Sequence, residues 1–413
     1  MVKRLCAFAA AVVLASMSVS AQGPAPAATA DYSQEAFVIE QSRSSYRFEN
    51  DGTGRRETSA RIKVQSDAGV QQWGQLVFGF NAATERMDIQ FVRVRKADGT
   101  VVTAPPEAVQ ELTSPIEREA PIYTDFRQKH ITVPSLRPGE TLEFSIAVIS
   151  HTPLAAGQFW MEHDFRTVAV ALDDRLEIDV PAGRAVTLKT APGLTPQISQ
   201  VGDRRIYRWT SSQKEPSAQR LKELQEQLKD EKAQRAAIRL TTFQSWEEVG
   251  RWYAGLEQAP RTPDAQLRAR AEQLVAGKAT DMEKLEALYD FVALNFRYVS
   301  LSLGTGRYQP RAAADVLRDQ YGDCKDKHTL LASLMESVGL HASTVLINSS
   351  EKLDPEFPSP SQFDHVITRA EVDGQAVWLD VTAEVAPFRL LSPSLRKKQA
   401  LVVEKTGRLR DAR

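Results

Sequence analysis

Cysteine is almost missing from this chain: 413 residues hold two, Cys6 and Cys324. An internal disulfide framework is therefore excluded once the N-terminus is removed, and a cysteine-rich zinc site with it. Basic excess is missing too. With 52 Lys and Arg against 53 Asp and Glu, nothing suggests the basic face that nucleic acid requires. Beyond the N-terminus no apolar run approaches transmembrane length. Histidine is sparse at six, and His130, His151 and His163 are scattered without metal-ligand spacing, which reads as structural or surface use. No internal repeat is found.

What remains is ordinary globular composition, 42% hydrophobic and 25% charged, in a chain long enough for two or three domains. The N-terminus differs. Lys3 and Arg4 precede an apolar run from Leu5 to about Ala15, and Val19-Ser20-Ala21 fits a small-residue cleavage site. That three-part pattern predicts a secretory signal peptide over 1–21 and a periplasmic or secreted protein with no transmembrane span after cleavage. Residues 22–33, with Pro24 and Pro26, read as a flexible leader. Cys6 leaves with the signal, so Cys324 is the one thiol expected in the mature protein.

From 34 to 210 the pattern is strand-like. Arg61–Gln65, Leu142–Val148, Leu176–Val180 and Ile206–Trp209 alternate, while the parity flip from Met87, Ile89 and Phe91 to Val92 and Val94 predicts a β-bulge. Many short alternating segments predict an antiparallel β-sandwich with one wet face per sheet. Residues 211–240 read as a solvated helical linker, with Leu221, Leu224 and Leu228 at helical spacing.

A second domain, 241–391, opens with two capping boxes, Ser245/Glu248 and Thr280/Glu283, each ahead of an apolar helix face. Phe296–Leu301 reads as extended chain entering a Gly304/Gly306 loop. Residues 392–413 read as a C-terminal tail.

Within this domain Cys324 follows Gly322-Asp323, read as a turn, and opens a helix whose Leu330, Leu331, Leu334, Met335 and Val338 share a side, with Gly339 as the stop. A thiol at a helix N-terminus meets the positive end of the macrodipole and orphan N–H groups, which favour thiolate. Lys325 and Lys327 push the same way; Asp323 and Asp326 oppose.

A hairpin places its partners. If Asp373-Gly374 are the central residues of a two-residue turn, Val372 faces Gln375, Ile367 faces Asp380 and His365 faces Thr382. His365 and Asp380 then share a face as diagonal neighbours, about 7–8 Å apart at Cα. A carboxylate so placed holds an imidazole in one tautomer while the other ring nitrogen takes a thiol proton. One more loop residue would reverse the parity. His328, one turn below Cys324 on the same helix, competes as base, though a histidine anchored there is poorly placed to reach a leaving group. Asp323, Cys324, Asp326 and His328 as a metal set is a weaker alternative. His341 sits at a helix–strand turn and needs no function.

Tyr321-Gly322-Asp323-Cys324-Lys325-Asp326-Lys327, Phe363-Asp364-His365-Val366 and Trp378-Leu379-Asp380-Val381-Thr382, separated by 41 residues from Cys to His and 15 from His to Asp, resemble the three signature segments of the bacterial transglutaminase-like family over 241–391. The β-rich segment resembles the domain of unknown function that often precedes this module in bacterial envelope proteins. The resemblance implies an α+β chain: the β-sandwich followed by a papain-like core of helices packed on an antiparallel sheet. It implies Cys324 as nucleophile, His365 as general base and acid, and Asp380 as orienting carboxylate, with no cofactor and no metal. Val381 stands where the family pattern has proline. Two readings of function follow. One is an exported cysteine enzyme that forms a thioester with a Gln side chain or peptide and passes the acyl group to an amine or to water. The other is an inactive envelope scaffold on the same fold. The implied partners are a protein or peptide substrate and an envelope partner for the β domain.

Overall fold

The computed structural model describes residues 31–113, 125–229, 235–299, 308–382, 387–403 and 408–411. The expected signal peptide, most of the leader and the Gly304/Gly306 loop lie outside the described residues.

Alternating side chains build the N-terminal half around one dry sheet face. Eight strands lie in the order Gln197–Val201, Arg204–Gln213, Ala171–Pro181, Phe37–Phe48, Gly54–Val64, Thr141–Ser150, Glu85–Arg95 and Val101–Thr103. Leu176, Ser44, Thr58 and Ile146 lie abreast in this register, so they and their i±2 neighbours share a face. Two three-stranded sheets cover that face. The sheet of Gln75–Asn81, Phe126–Thr132 and Val109–Thr113 seals Ile62, Val64, Val92, Val94, Leu142 and Phe144. That of Thr187–Thr190, Ile238–Thr241 and Trp160–His163 seals Leu176, Ile178, Val180, Tyr207 and Trp209. Each fully buried Ile or Leu contributes about 1.5–3 kcal/mol, which decides the side that turns inward. The opposite face is polar: Glu143 accepts Arg93 at 2.7 Å and lies 3.5 Å from Arg95.

The bulge falls between Ile89 and Phe91, where the register shifts, and it returns Val92 and Val94 to the core. One pair in this otherwise antiparallel sheet, Phe37–Phe48 with Ala171–Pro181, runs parallel. A parallel pair needs a long crossover, and here most of the domain supplies it.

Two boundaries read from the sequence need correction. The linker 211–240 holds a helix at Ser217–Gln227, with Leu221 and Leu228 exposed and only Leu224 buried. Its end, however, is the strand Ile238–Thr241, buried throughout and central to a three-stranded sheet. The segment 392–413 is no free tail: Gln399–Val403 and Arg408–Asp411 extend the second domain's sheet.

That sheet has five antiparallel strands, ordered Gln375–Leu379, His365–Val372, His341–Ile347, Gln399–Val403 and Arg408–Asp411. Leu330, Leu331, Leu334 and Met335 of the helix Cys324–Ser337 form one core with Ala342, Ala370, Val372, Val377 and Leu379 of the sheet. Leu267 and Ala271 of Ala265–Val275, and Leu285, Leu288 and Val292 of Asp281–Asn295, complete it. The second of these helices starts at a reciprocal capping box, Thr280 Oγ1 accepting from Glu283 N and Glu283 from Thr280 N. At Trp246–Glu257 the box is partial. Ser245 accepts from Glu248 N, but Glu248 reaches the Gln244 N–H instead of that of Ser245.

Candidate active site

Asp323 sets where the Cys324 helix begins. Its carboxylate accepts from the N–H groups of Lys325 and Asp326, both at 3.1 Å, as an N-cap does. Cys324 is thereby the first helical residue, 7% exposed. Gly322 before it is not in a turn. It pairs in a short parallel bridge, Tyr298 with Gly322, and a Cβ there would sit 2.6 Å from that of Asp326. Glycine is needed for close approach. Asp326 in turn accepts from the Arg311 N–H at 2.8 Å.

Both lysines have buried partners in the scaffold. Lys325 is buried and ion-paired with Asp323; burial alone would depress its ammonium, but the charges of Asp323, Asp326 and Cys324 hold it up. Lys327, also buried, donates to the carbonyls of Phe296 at 2.7 Å and Ala293 at 3.3 Å. A cation there complements the C-terminal end of Asp281–Asn295.

The hairpin forms with the expected turn. Asp373 and Gly374 have φ of 51° and 73°, and the ladder pairs Val372 with Gln375 and Thr368 with Leu379. It ends there, so Asp380 and Thr382 lie beyond the strand. His365 Nε2 is 3.2 Å from Asp380 Oδ2, while Asp380 Oδ1 accepts from Thr382 N at 3.0 Å and Thr382 Oγ1 at 2.7 Å. Burial pushes the Asp380 carboxyl up, but His365 and Thr382 outweigh it and hold it below the usual carboxylate range. Val381 is fully buried.

With Nε2 committed to Asp380, Nδ1 is the nitrogen left for the thiol. Burial works against charge on His365; hydrogen bonds to Asp380 and Cys324, and the charges of both, reverse this and raise the imidazole to about 10. Cys324 and His365 face one cavity of about 350 Å³, walled also by Tyr253, Tyr308, Ser361 and Phe363. A second cavity of about 320 Å³ lies on the β domain, among Tyr46, Arg56, Phe159 and Trp160, and Tyr308 lines both. The wall carrying Ser361 is held by that domain: Arg239 binds Asp354 at 2.9 Å and Thr241 Oγ1 donates to Pro358 O at 3.0 Å.

His328 faces elsewhere. Thr344 donates to Glu257, so its oxygen accepts from His328 Nε2 at 2.7 Å, and Thr368 donates to Nδ1 at 2.7 Å. Both nitrogens are taken, which separates His328 from the thiol and from any metal set with Cys324. Burial, with Arg261 nearby, holds this imidazole down to about 3, against about 6.5 in an unfolded chain. The unfolded state thus binds the extra proton between those values. The stability that neutral His328 confers is complete above about pH 6.5 and is lost as pH falls toward 3, at about 1.4 kcal/mol per pH unit. Urea titrations from pH 4 to 7 are expected to give wild type this added slope and His328→Gln none of it.

Of the other histidines, His130 bonds Gln128 at 3.1 Å, His163 lies edge-on to Tyr46 and Phe165, and His341 is exposed at a strand start. Nothing in the sequence marks the cavity walls Tyr253 and Tyr308 as functional. Tyr253 sits on an apolar helix face and carries no local signal beyond that.

Two family models match this chain: residues 50–217 match DUF3857, a domain of unknown function with a solved structure, and residues 268–383 match the transglutaminase-like superfamily. No curated protein matches. A "putative protease" from Parabacteroides distasonis superposes with TM-score 0.73 at 17% identity, over 91% of this chain and 72% of its own, a likeness of fold. A "putative cysteine protease" from Cytophaga hutchinsonii covers 81% of this chain and 78% of its own at 14% identity, with a TM-score of 0.22, too low to carry an argument.

Proposed function

Because the chain carries a transglutaminase-like core behind a DUF3857 domain, we propose that it is a cysteine enzyme that forms a thioester with an amide of a protein or peptide. The observation that carries this reading is the convergence of Cys324, His365 and Asp380, with His365 Nε2 on Asp380 and Cys324 lining the same cavity as His365.

The chemistry follows from that arrangement. Cys324 Sγ, its proton on His365 Nδ1, attacks the amide carbonyl; the carbonyl π pair moves to oxygen. As the tetrahedral species collapses the C–N bond breaks, and the nitrogen leaves with the proton from His365. Asp380 keeps the imidazolium oriented and offsets its charge. An amine or water then repeats the sequence in reverse on the thioester, giving cross-linking or hydrolysis.

Casein incubated with the enzyme and dansylcadaverine tests the reading. Fluorescent casein reports amine transfer, and new N-termini or released ammonia report hydrolysis; each is absent in Cys324→Ala. Neither product, with casein bound equally by wild type and Cys324→Ala, would support a binding protein in place of an enzyme.

We also propose that the protein is exported to the periplasm or beyond. The support is Lys3-Arg4, the apolar run and the Val19-Ser20-Ala21 site. Among the described residues no helix is long and apolar enough to cross a membrane. N-terminal sequencing of protein from the envelope fraction should begin at Gln22; an intact Met1 would refute cleavage.

A further inference from the structure

The mechanism needs a second donor for the oxyanion, beside the Cys324 N–H, which has no acceptor among the described residues. Tyr253 lies on the helix Trp246–Glu257, 2% exposed, in one apolar cluster with Cys324, Leu346 and Val366. It lines the cavity that Cys324 and His365 face. Trp252 packs edge-on against its ring. The two indole N–H groups of this helix are bonded: Trp246 Nε1 donates to Pro355 O and Trp252 Nε1 to Leu154 O. The Tyr253 hydroxyl has no hydrogen-bond partner among the described residues, and its side chain borders the cavity.

We propose that Tyr253 is a catalytic residue whose hydroxyl, together with the Cys324 backbone N–H, binds the oxyanion of the tetrahedral intermediate; this rests on the acyl-transfer reading above. When Sγ adds to the carbonyl carbon, the carbonyl oxygen receives the π pair and becomes the acceptor that Tyr253 lacks in the resting enzyme. When the C–N bond breaks, that pair returns to re-form the carbonyl of the thioester, and the leaving nitrogen takes its proton from His365. Tyr253 keeps its own proton throughout. Burial, and the negative groups Glu257, Cys324, Asp323 and Asp326 around it, hold the phenol well above its ordinary range, so it remains a donor at any pH where the enzyme works.

The assignment separates two reactions of one thiol. Acylation by p-nitrophenyl acetate passes through an oxyanion; alkylation by iodoacetamide does not. In Tyr253→Phe, the acylation rate is expected to fall about 10²–10³-fold, the loss typical of one oxyanion donor. Alkylation should stay within about twofold of wild type. Melting should be unchanged, because the hydroxyl bonds nothing in the resting fold. If Tyr253→Phe acylates as fast as wild type, the assignment fails while acyl transfer stands. If acylation and alkylation fall together, Tyr253 acts on the thiol, and the assignment fails again. If wild type itself never acylates, the acyl-transfer reading fails first and takes this assignment with it.

Discussion

Replacing His365 with alanine is expected to slow acylation of Cys324 about 10²–10⁴-fold, the range a positioned acid–base group supplies, and to lower stability as well, because the buried Asp380 carboxylate loses its charged partner. The residue is the first of its strand and nearly buried at the cavity wall, so its removal opens space toward solvent and leaves the Leu330–Val372 core intact. The effect has a signature in pH. Asp380 and Cys324 raise His365 to about 10 against burial, so the imidazolium that must protonate the leaving nitrogen persists through neutral pH. Amide turnover by wild type should therefore hold from pH 7 to about 9 and decline as His365 loses its proton near 10. In His365→Ala that alkaline decline should vanish along with most of the rate. A variant retaining both would mean that another group delivers the proton, and His328, its two nitrogens bonded to Thr344 and Thr368, could do so only by leaving that network.

The second large effect concerns the helix start. Asp323→Ala removes the cap of Cys324–Ser337 and leaves the buried Lys325 ammonium with its main partner gone. Breaking one side of a buried pair costs about 3–5 kcal/mol, and loss of a cap about 1 kcal/mol. Urea unfolding should accordingly show a fall of at least about 3 kcal/mol. Asp323→Ala with Lys325→Met should recover part of it, because no uncompensated charge then remains. Equal loss in the single and double variants would mean the cap alone matters. Because the same carboxylate orients the first turn, Asp323→Ala should also slow acylation at urea concentrations where it remains folded.

Much of this site was legible because local chemistry writes it plainly. The Asp373-Gly374 turn requires two positive-φ residues, and that fixes the ladder just beyond which His365 and Asp380 lie. The parity flip near Ile89 and the Thr280/Glu283 box are likewise local. What could not be read is long-range. Ile238–Thr241 is four residues behind a polar helical stretch, and only pairing to Thr187–Thr190 and Trp160–His163 makes it a strand. Gln399–Val403 shows little alternation because nearly all of it is buried. Gly322 looks like a turn glycine until Asp326 is placed against it. Lys327 looks like a thiol activator until its partners, the carbonyls of Ala293 and Phe296, are known. Tyr253 comes from a helix more than sixty residues before Cys324, and nothing local marks it.

The most direct test of the account is the rate of Cys324 alkylation by iodoacetamide from pH 5 to 10, in wild type, His365→Ala and His328→Gln. Wild type at pH 6 is expected to react at least tenfold faster than His365→Ala, with His328→Gln following wild type. A wild-type profile that rises like that of a free thiol and superimposes on His365→Ala would contradict it, since the Cys324–His365 pair would then not be poised for acyl transfer.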